Sequence, residues 1–96
     1  MKLSLEESEF IVIVCQSMIE SESQSEEDHM ELLGRAMALE VLLIISNGCI
    51  RAAIDRTEVC ECSMTEKQIG FLSAILEPVA EIAPDGIIEK LQAEAA

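Results

Sequence analysis

From Ala36 to Ile45 the chain reads AMALEVLLII, nine apolar residues around the single charge of Glu40. A helix made of such a stretch is apolar around most of its circumference. It has no complete solvent face, so it must be central and covered from more than one side. Helix signals bracket the stretch. Ser25-Glu26-Glu27-Asp28 has the form of a capping box with acids in the first turn. Asn47-Gly48 follows, two residues that tolerate the left-handed conformation at a helix C-terminus. The spacing predicts a helix over 26–46. Phe10 and Phe71 are the only aromatic residues, so its neighbours must pack with aliphatic side chains, which suits helix-on-helix contact. Gly34 and the nearby alanines allow close approach. The 96 residues suffice for one domain, 1–96. The expected fold class is all-α: a compact bundle of four to five short helices around a long apolar central one.

The other elements follow from caps and periodicity. Ser4-Leu5-Glu6-Glu7 forms a second capping signature and predicts a helix over 5–21 with Ile11, Val14, Cys15, Met18 and Ile19 on one face. The β-branched run Ile11–Val14 argues for a strand instead, but the capped polar flanks favour helix. Ser21–Ser25 alternates Ser with Glu or Gln and reads as a solvated loop. Ile50, Ala53 and Ile54 have helical spacing and predict a short third helix ending near Asp55. The alternative there is a hairpin turning at Asp55-Arg56 with Thr57–Cys62 as its second strand. Ser63 or Thr65 can cap the next helix, and Ile69, Leu72, Ile75, Leu76 and Val79 form its stripe. Pro78 should kink or end it. Pro84-Asp85-Gly86 is a turn before a last helix over 86–94, held by Ile87, Ile88 and Leu91.

Nineteen acids against six bases give a net charge of −13. Residues 1–31 hold nine acids and one base, and residues 32–96 hold ten acids and five bases. Such a surplus repels phosphate, so neither nucleic acid nor anionic membrane is an expected partner, whereas a basic protein surface is. Glu6, Glu7 and Glu9 interrupt any apolar signal-peptide core after Lys2. The longest uncharged stretches have ten residues each, below the ~20 of a membrane span. A cytoplasmic protein is therefore expected, with Cys15, Cys49, Cys60 and Cys62 as thiols.

Chemistry-bearing patterns are sparse. Glu26-x-x-His29 has the spacing of a carboxylate–histidine ligand pair, but His29 is the only histidine and a second pair is missing. Cys60-Glu61-Cys62 lacks the partner pair of a zinc site and reads as two loop thiols, with Cys15 and Cys49 as core packing. The four glycines are dispersed and form no phosphate loop. Nucleophilic catalysis has one imidazole to draw on. No enzyme activity, metal or cofactor is expected.

The feature above background is the acidic set Glu20, Glu22, Glu26, Glu27, Asp28 and Glu31, six carboxylates within twelve residues. It is the candidate partner-binding site, with a solvated loop as its plain reading. Carboxylates so spaced can imitate nucleic-acid phosphates and fill a basic groove. In general composition the chain resembles small acidic helical inhibitors of phages and mobile elements, including anti-CRISPR proteins. That resemblance implies an inhibitor or decoy blocking a basic site. Two other expectations compete: an immunity or adaptor protein recognising its partner by apolar shape, and a self-associating structural subunit. A homodimer is expected because one small bundle cannot easily cover the central helix.

Overall fold

The computed structural model describes residues 1–20 and 29–95, with side chains described except at 29–31 and 95. In chain order the elements are β1 (Lys2–Ser4), α1 (Leu5–Glu20), α2 (His29–Asp55), β2 (Val59–Glu61), α3 (Glu66–Leu76), a single 3-10 turn (Glu77–Val79) and α4 (Ile87–Ala95). The protein is mostly helical, as expected, but it is not purely α. β1 and β2 form a two-stranded antiparallel sheet in which Leu3 stands opposite Cys60. The N-terminal ammonium extends this pairing by donating to the Cys62 carbonyl at 2.9 Å.

The start of α1 is the box read from the sequence. The Glu7 amide donates to Ser4 Oγ at 3.1 Å, and the Ser4 amide donates to Glu7 Oε1 at 2.8 Å. A cap of this kind contributes about 1 kcal/mol. Of the two cap candidates it is Thr65 that caps α3, and Gln68 closes its box: the Gln68 amide donates to Thr65 Oγ1 at 3.2 Å and the Thr65 amide donates to Gln68 Oε1 at 2.9 Å. Pro78 sits in the 3-10 turn that ends α3, and Gly86, at φ +90°, turns the chain into α4.

The central helix departs from the expectation. α2 does not stop at Asn47-Gly48, and the predicted third helix ending near Asp55 is its continuation. Gly48 has a different task. A Cβ built there would lie 2.9 Å from Cys62 Sγ and 3.0 Å from the Glu61 carbonyl oxygen. Glycine is needed because the strand crosses the helix at that point. The actual stop is eight residues later. Arg56 takes φ +57°, its amide donates to the Ala53 carbonyl, and the Thr57 amide donates to the Ala52 carbonyl. Those two bonds form a Schellman cap with Arg56 in the left-handed position. The alternative hairpin was right about a strand near Thr57–Cys62, but its partner is the N-terminal strand β1.

One core joins these elements. Leu3 comes from β1, Ile11 and Cys15 from α1, Ala38, Val41, Ile45 and Ala52 from α2, Cys60 from β2, Ile69, Leu72 and Leu76 from α3, and Ile87 and Leu91 from α4. α1 packs along α2, and α3 along α4. A half-exposed ion pair ties α1 to α4: Nζ of the exposed Lys90 lies 2.6 Å from Oε1 of the buried Glu7. Burial of Glu7 raises its pKa, yet Lys90, then the Ser4 amide and hydroxyl, outweigh that and hold the carboxyl below its ordinary value.

Candidate functional site

The acidic set is only partly within the described residues. Glu20 closes α1 and is exposed. Glu22, Glu26, Glu27 and Asp28 lie outside the described residues, as does the capping signature Ser25–Asp28. Glu31 and His29 belong to the first turn of α2, and their side chains are outside the described residues.

A second feature is fully described. α2 has almost no net amphipathicity because it is apolar on two opposite sides. Ala38, Val41, Ile45, Gly48 and Ala52 are buried and recur every three or four residues. At 100° per residue they form one stripe, which faces the core. Leu32, Ala36, Leu39, Leu43, Asn47, Ile50 and Ile54 recur at the same spacing on the opposite side. Their larger members stand in the open: Leu32 is 63% exposed, Leu39 47%, Leu43 56%, Ile50 57% and Ile54 74%. The outer stripe spans roughly 33 Å of helix at 1.5 Å per residue. Contiguous exposed apolar surface on this scale is uncommon on a monomer and marks interaction sites.

The rim of the stripe is polar and held in place. Glu40 is exposed, and its Oε1 accepts from Gln68 Nε2 at 2.7 Å. The same Gln68 closes the α3 cap, so one side chain fixes both the α3 start and the α2 rim. Glu40, the odd charge of the sequence, thus stands at the edge of the outer face. Arg51 lies on the same flank, eleven residues or about three turns along. It is exposed and makes no ion pair within the protomer among the described residues. Beside it a shallow groove of about 560 Å³ runs between α2 and the segment after β2, lined by Ile44, Asn47, Ile50, Arg51, Ile54 and Ser63, among others. Arg51 and the outer stripe were not among the sequence candidates. Their signal was present as the 4-3-4-4-3-4 spacing from Leu32 to Ile54, hidden because the inner stripe has the same period.

Cys60 and Cys62 are not exposed loop thiols: Cys60 lies in β2 and Cys62 just after it. Both are buried, and the structure gathers them with Cys49 where β2 crosses α2. Cys60 Sγ is 3.5 Å from Cys49 Sγ. Burial pushes Cys62 up to about 11, with Cys60 and Cys49 adding to it. Burial first, then Cys60, raises Cys49, and the Ser8 hydroxyl opposes them only in part. Cys15 reaches about 11 through burial. These groups are protonated at neutral pH and poor nucleophiles. Among the described residues no group of three or more His, Cys, Asp or Glu side chains is placed to hold a metal ion.

No protein-family model, curated protein or solved structure matches the chain at a significant level.

Proposed function

We propose that this chain is a non-catalytic protein-binding module whose partner covers the outer face of α2. One observation carries the reading: the longest helix has two opposed apolar stripes, and the described residues cover only one. The exposed members of the other stripe lower stability against water and offer surface whose burial favours association. The polar rim at Glu40 and Arg51 gives that surface an edge and a register. This is the adaptor form of recognition, chosen by shape.

The inhibitor or decoy reading keeps one supporting observation, the surplus of acid in residues 1–31, of which Glu20 is exposed at the end of α1. A basic partner surface would be steered by that charge. The two readings separate in one experiment. The chain is recovered from its native cells with its bound protein, and that protein is purified. Association is then measured for the parent, for Leu39→Glu/Leu43→Glu, and for Glu20→Gln/Glu22→Gln/Glu31→Gln. The adaptor reading expects the leucine variant to lose binding and salt to matter little. The decoy reading expects the carboxylate variant to associate more slowly with a flatter salt dependence. If neither variant changes binding, both readings fail.

A further inference from the structure

We propose that the occupant of the outer face is a second copy of this chain, packed with its α2 antiparallel and related by a two-fold axis between Glu40 and Arg51. The inference rests on the reading of that face as a binding surface and adds the partner and its register.

Charge selects the partner. The chain carries −13, so two copies repel almost anywhere they meet. From Leu32 to Asp55, Arg35 and Arg51 balance Glu40 and Asp55, which leaves this segment neutral. It is the long apolar surface that a second acidic copy can approach without repulsion.

Geometry selects the orientation. In two antiparallel helices facing across a dyad, the same flank of each meets its own counterpart. Glu40 and Arg51 share one flank, about three turns apart. With the axis midway between them, Glu40 of each copy lies beside Arg51 of the other, and the interface gains two opposite-charge contacts. A parallel two-fold arrangement would place the Glu40 flanks of the two copies on opposite sides of the seam, where neither Glu40 meets an Arg51. The antiparallel register also settles the stripe. It brings Leu39 to the second copy's Ile50, the small Ala36 to its bulky Ile54, and Leu43 to its Asn47. Large residues then alternate with small or polar ones along the seam, as knobs-into-holes packing requires. The groove beside Arg51 lies on the same flank and gives the second copy's Glu40 side chain room to enter.

An α2 segment of this length and composition also suits a membrane, but its inner stripe is already committed to the core, and Glu40 and Arg51 interrupt the apolar surface. Sedimentation equilibrium of the purified full chain, from about 1 μM to 1 mM, decides between these. The expected result is a dimer whose dissociation constant rises at least tenfold in Glu40→Arg and in Arg51→Glu. It should return to within about threefold of the parent in the double variant Glu40→Arg/Arg51→Glu. Circular dichroism of each variant confirms that the helices are intact. A monomer at every concentration overturns the inference, as does a double variant no better than the singles. Partition of the chain into phosphatidylcholine vesicles in place of dimerisation also overturns it. A monomeric result leaves the adaptor experiment standing, since that is read with a different protein.

Discussion

The two faces of α2 are both mainly apolar, at the same spacing, and have opposite fates. Val41 and Ile45 on the inner face are fully buried, while Leu43, between them in sequence, is more than half exposed. Hydrophobicity therefore does not decide which face a fold uses. The contacts of α1, β2 and α3 decide it. The inner face includes the small buried residues Ala38, Gly48 and Ala52, and at Gly48 the β2 backbone comes too close for a larger side chain. The outer face carries its bulk, five Leu and Ile side chains, where no described residue covers it. A helix built for one core needs one stripe; a second stripe of equal quality is surplus to folding and points to association.

The largest effect that can break this comparison is a paired truncation. Ile45→Ala should cost the isolated protomer about 2–5 kcal/mol, because it leaves a cavity among residues that cannot fully collapse. Leu43→Ala should leave protomer stability nearly unchanged, since it removes a side chain already in water. Urea unfolding at sub-micromolar concentration measures both. If Leu43→Ala costs as much as Ile45→Ala at that dilution, the outer face is covered within the protomer and the distinction fails. At millimolar concentration the costs should converge if the proposed dimer forms, because it would bury Leu43.

A smaller effect sharpens the inner side. Gly48→Ala gains helix propensity of about 1 kcal/mol but sets a methyl against Cys62 Sγ and the Glu61 backbone. Overpacking costs about 1–3 kcal/mol, and the contacting atom is partly backbone, which cannot swing away. The net effect is destabilising. Gly70→Ala is the control: nothing lies within 4 Å of its Cβ position, so it should stabilise by about 0.4–1 kcal/mol. Thermal melts of the two variants should shift in opposite directions.

Gly48 also shows where reading the sequence ran out. Asn47-Gly48 has the composition of a helix stop, and Arg56 does not, yet the chain continues through the first and stops at the second. The composition of the dipeptide reports what its backbone can do; the crossing of β2 determines why glycine is there. The short strand Lys2–Ser4 escaped notice for a related reason, since three residues carry no measurable period and the same Ser4 serves as the α1 cap. Local chemistry was legible: the Ser4 box, the Pro78 break and the Gly86 turn all stand where the residues placed them. The all-round apolarity of α2 was legible too, and so was the oddity of Glu40. Which face is inner, and that Arg51 shares the Glu40 flank, became visible only once the tertiary contacts had fixed the helix's rotation. Of the acidic set, Glu20 alone has a described side chain, so the charge reading stands where the sequence left it.

The smallest effect compares two carboxylates, one on each side of this division. Glu7 belongs to the protomer: it is buried, accepts from the Ser4 amide and pairs with Lys90. Glu40 belongs to the outer rim. Glu7→Gln keeps an acceptor for the cap but removes the charge facing Lys90, and should cost the protomer about 1 kcal/mol at pH 7. Glu40→Gln keeps the acceptor for Gln68 and should cost the dilute protomer less than about 0.5 kcal/mol, its effect appearing in association instead. The Glu7 contribution has a defined pH dependence. Its folded pKa lies below the ordinary 4.5, so the folded state holds this proton less tightly than the unfolded chain does. The stability it supplies is present above 4.5 and is lost as pH falls from there through the depressed folded value. Denaturant midpoints of the parent and Glu7→Gln, measured from pH 7 to pH 3, should therefore differ most at neutral pH and converge in acid. Taking the difference between the two proteins cancels the other carboxylates, which titrate in both. A gap that stays constant across this range would mean that Glu7 acts through shape and not charge, and that the α1–α4 tie is packing alone.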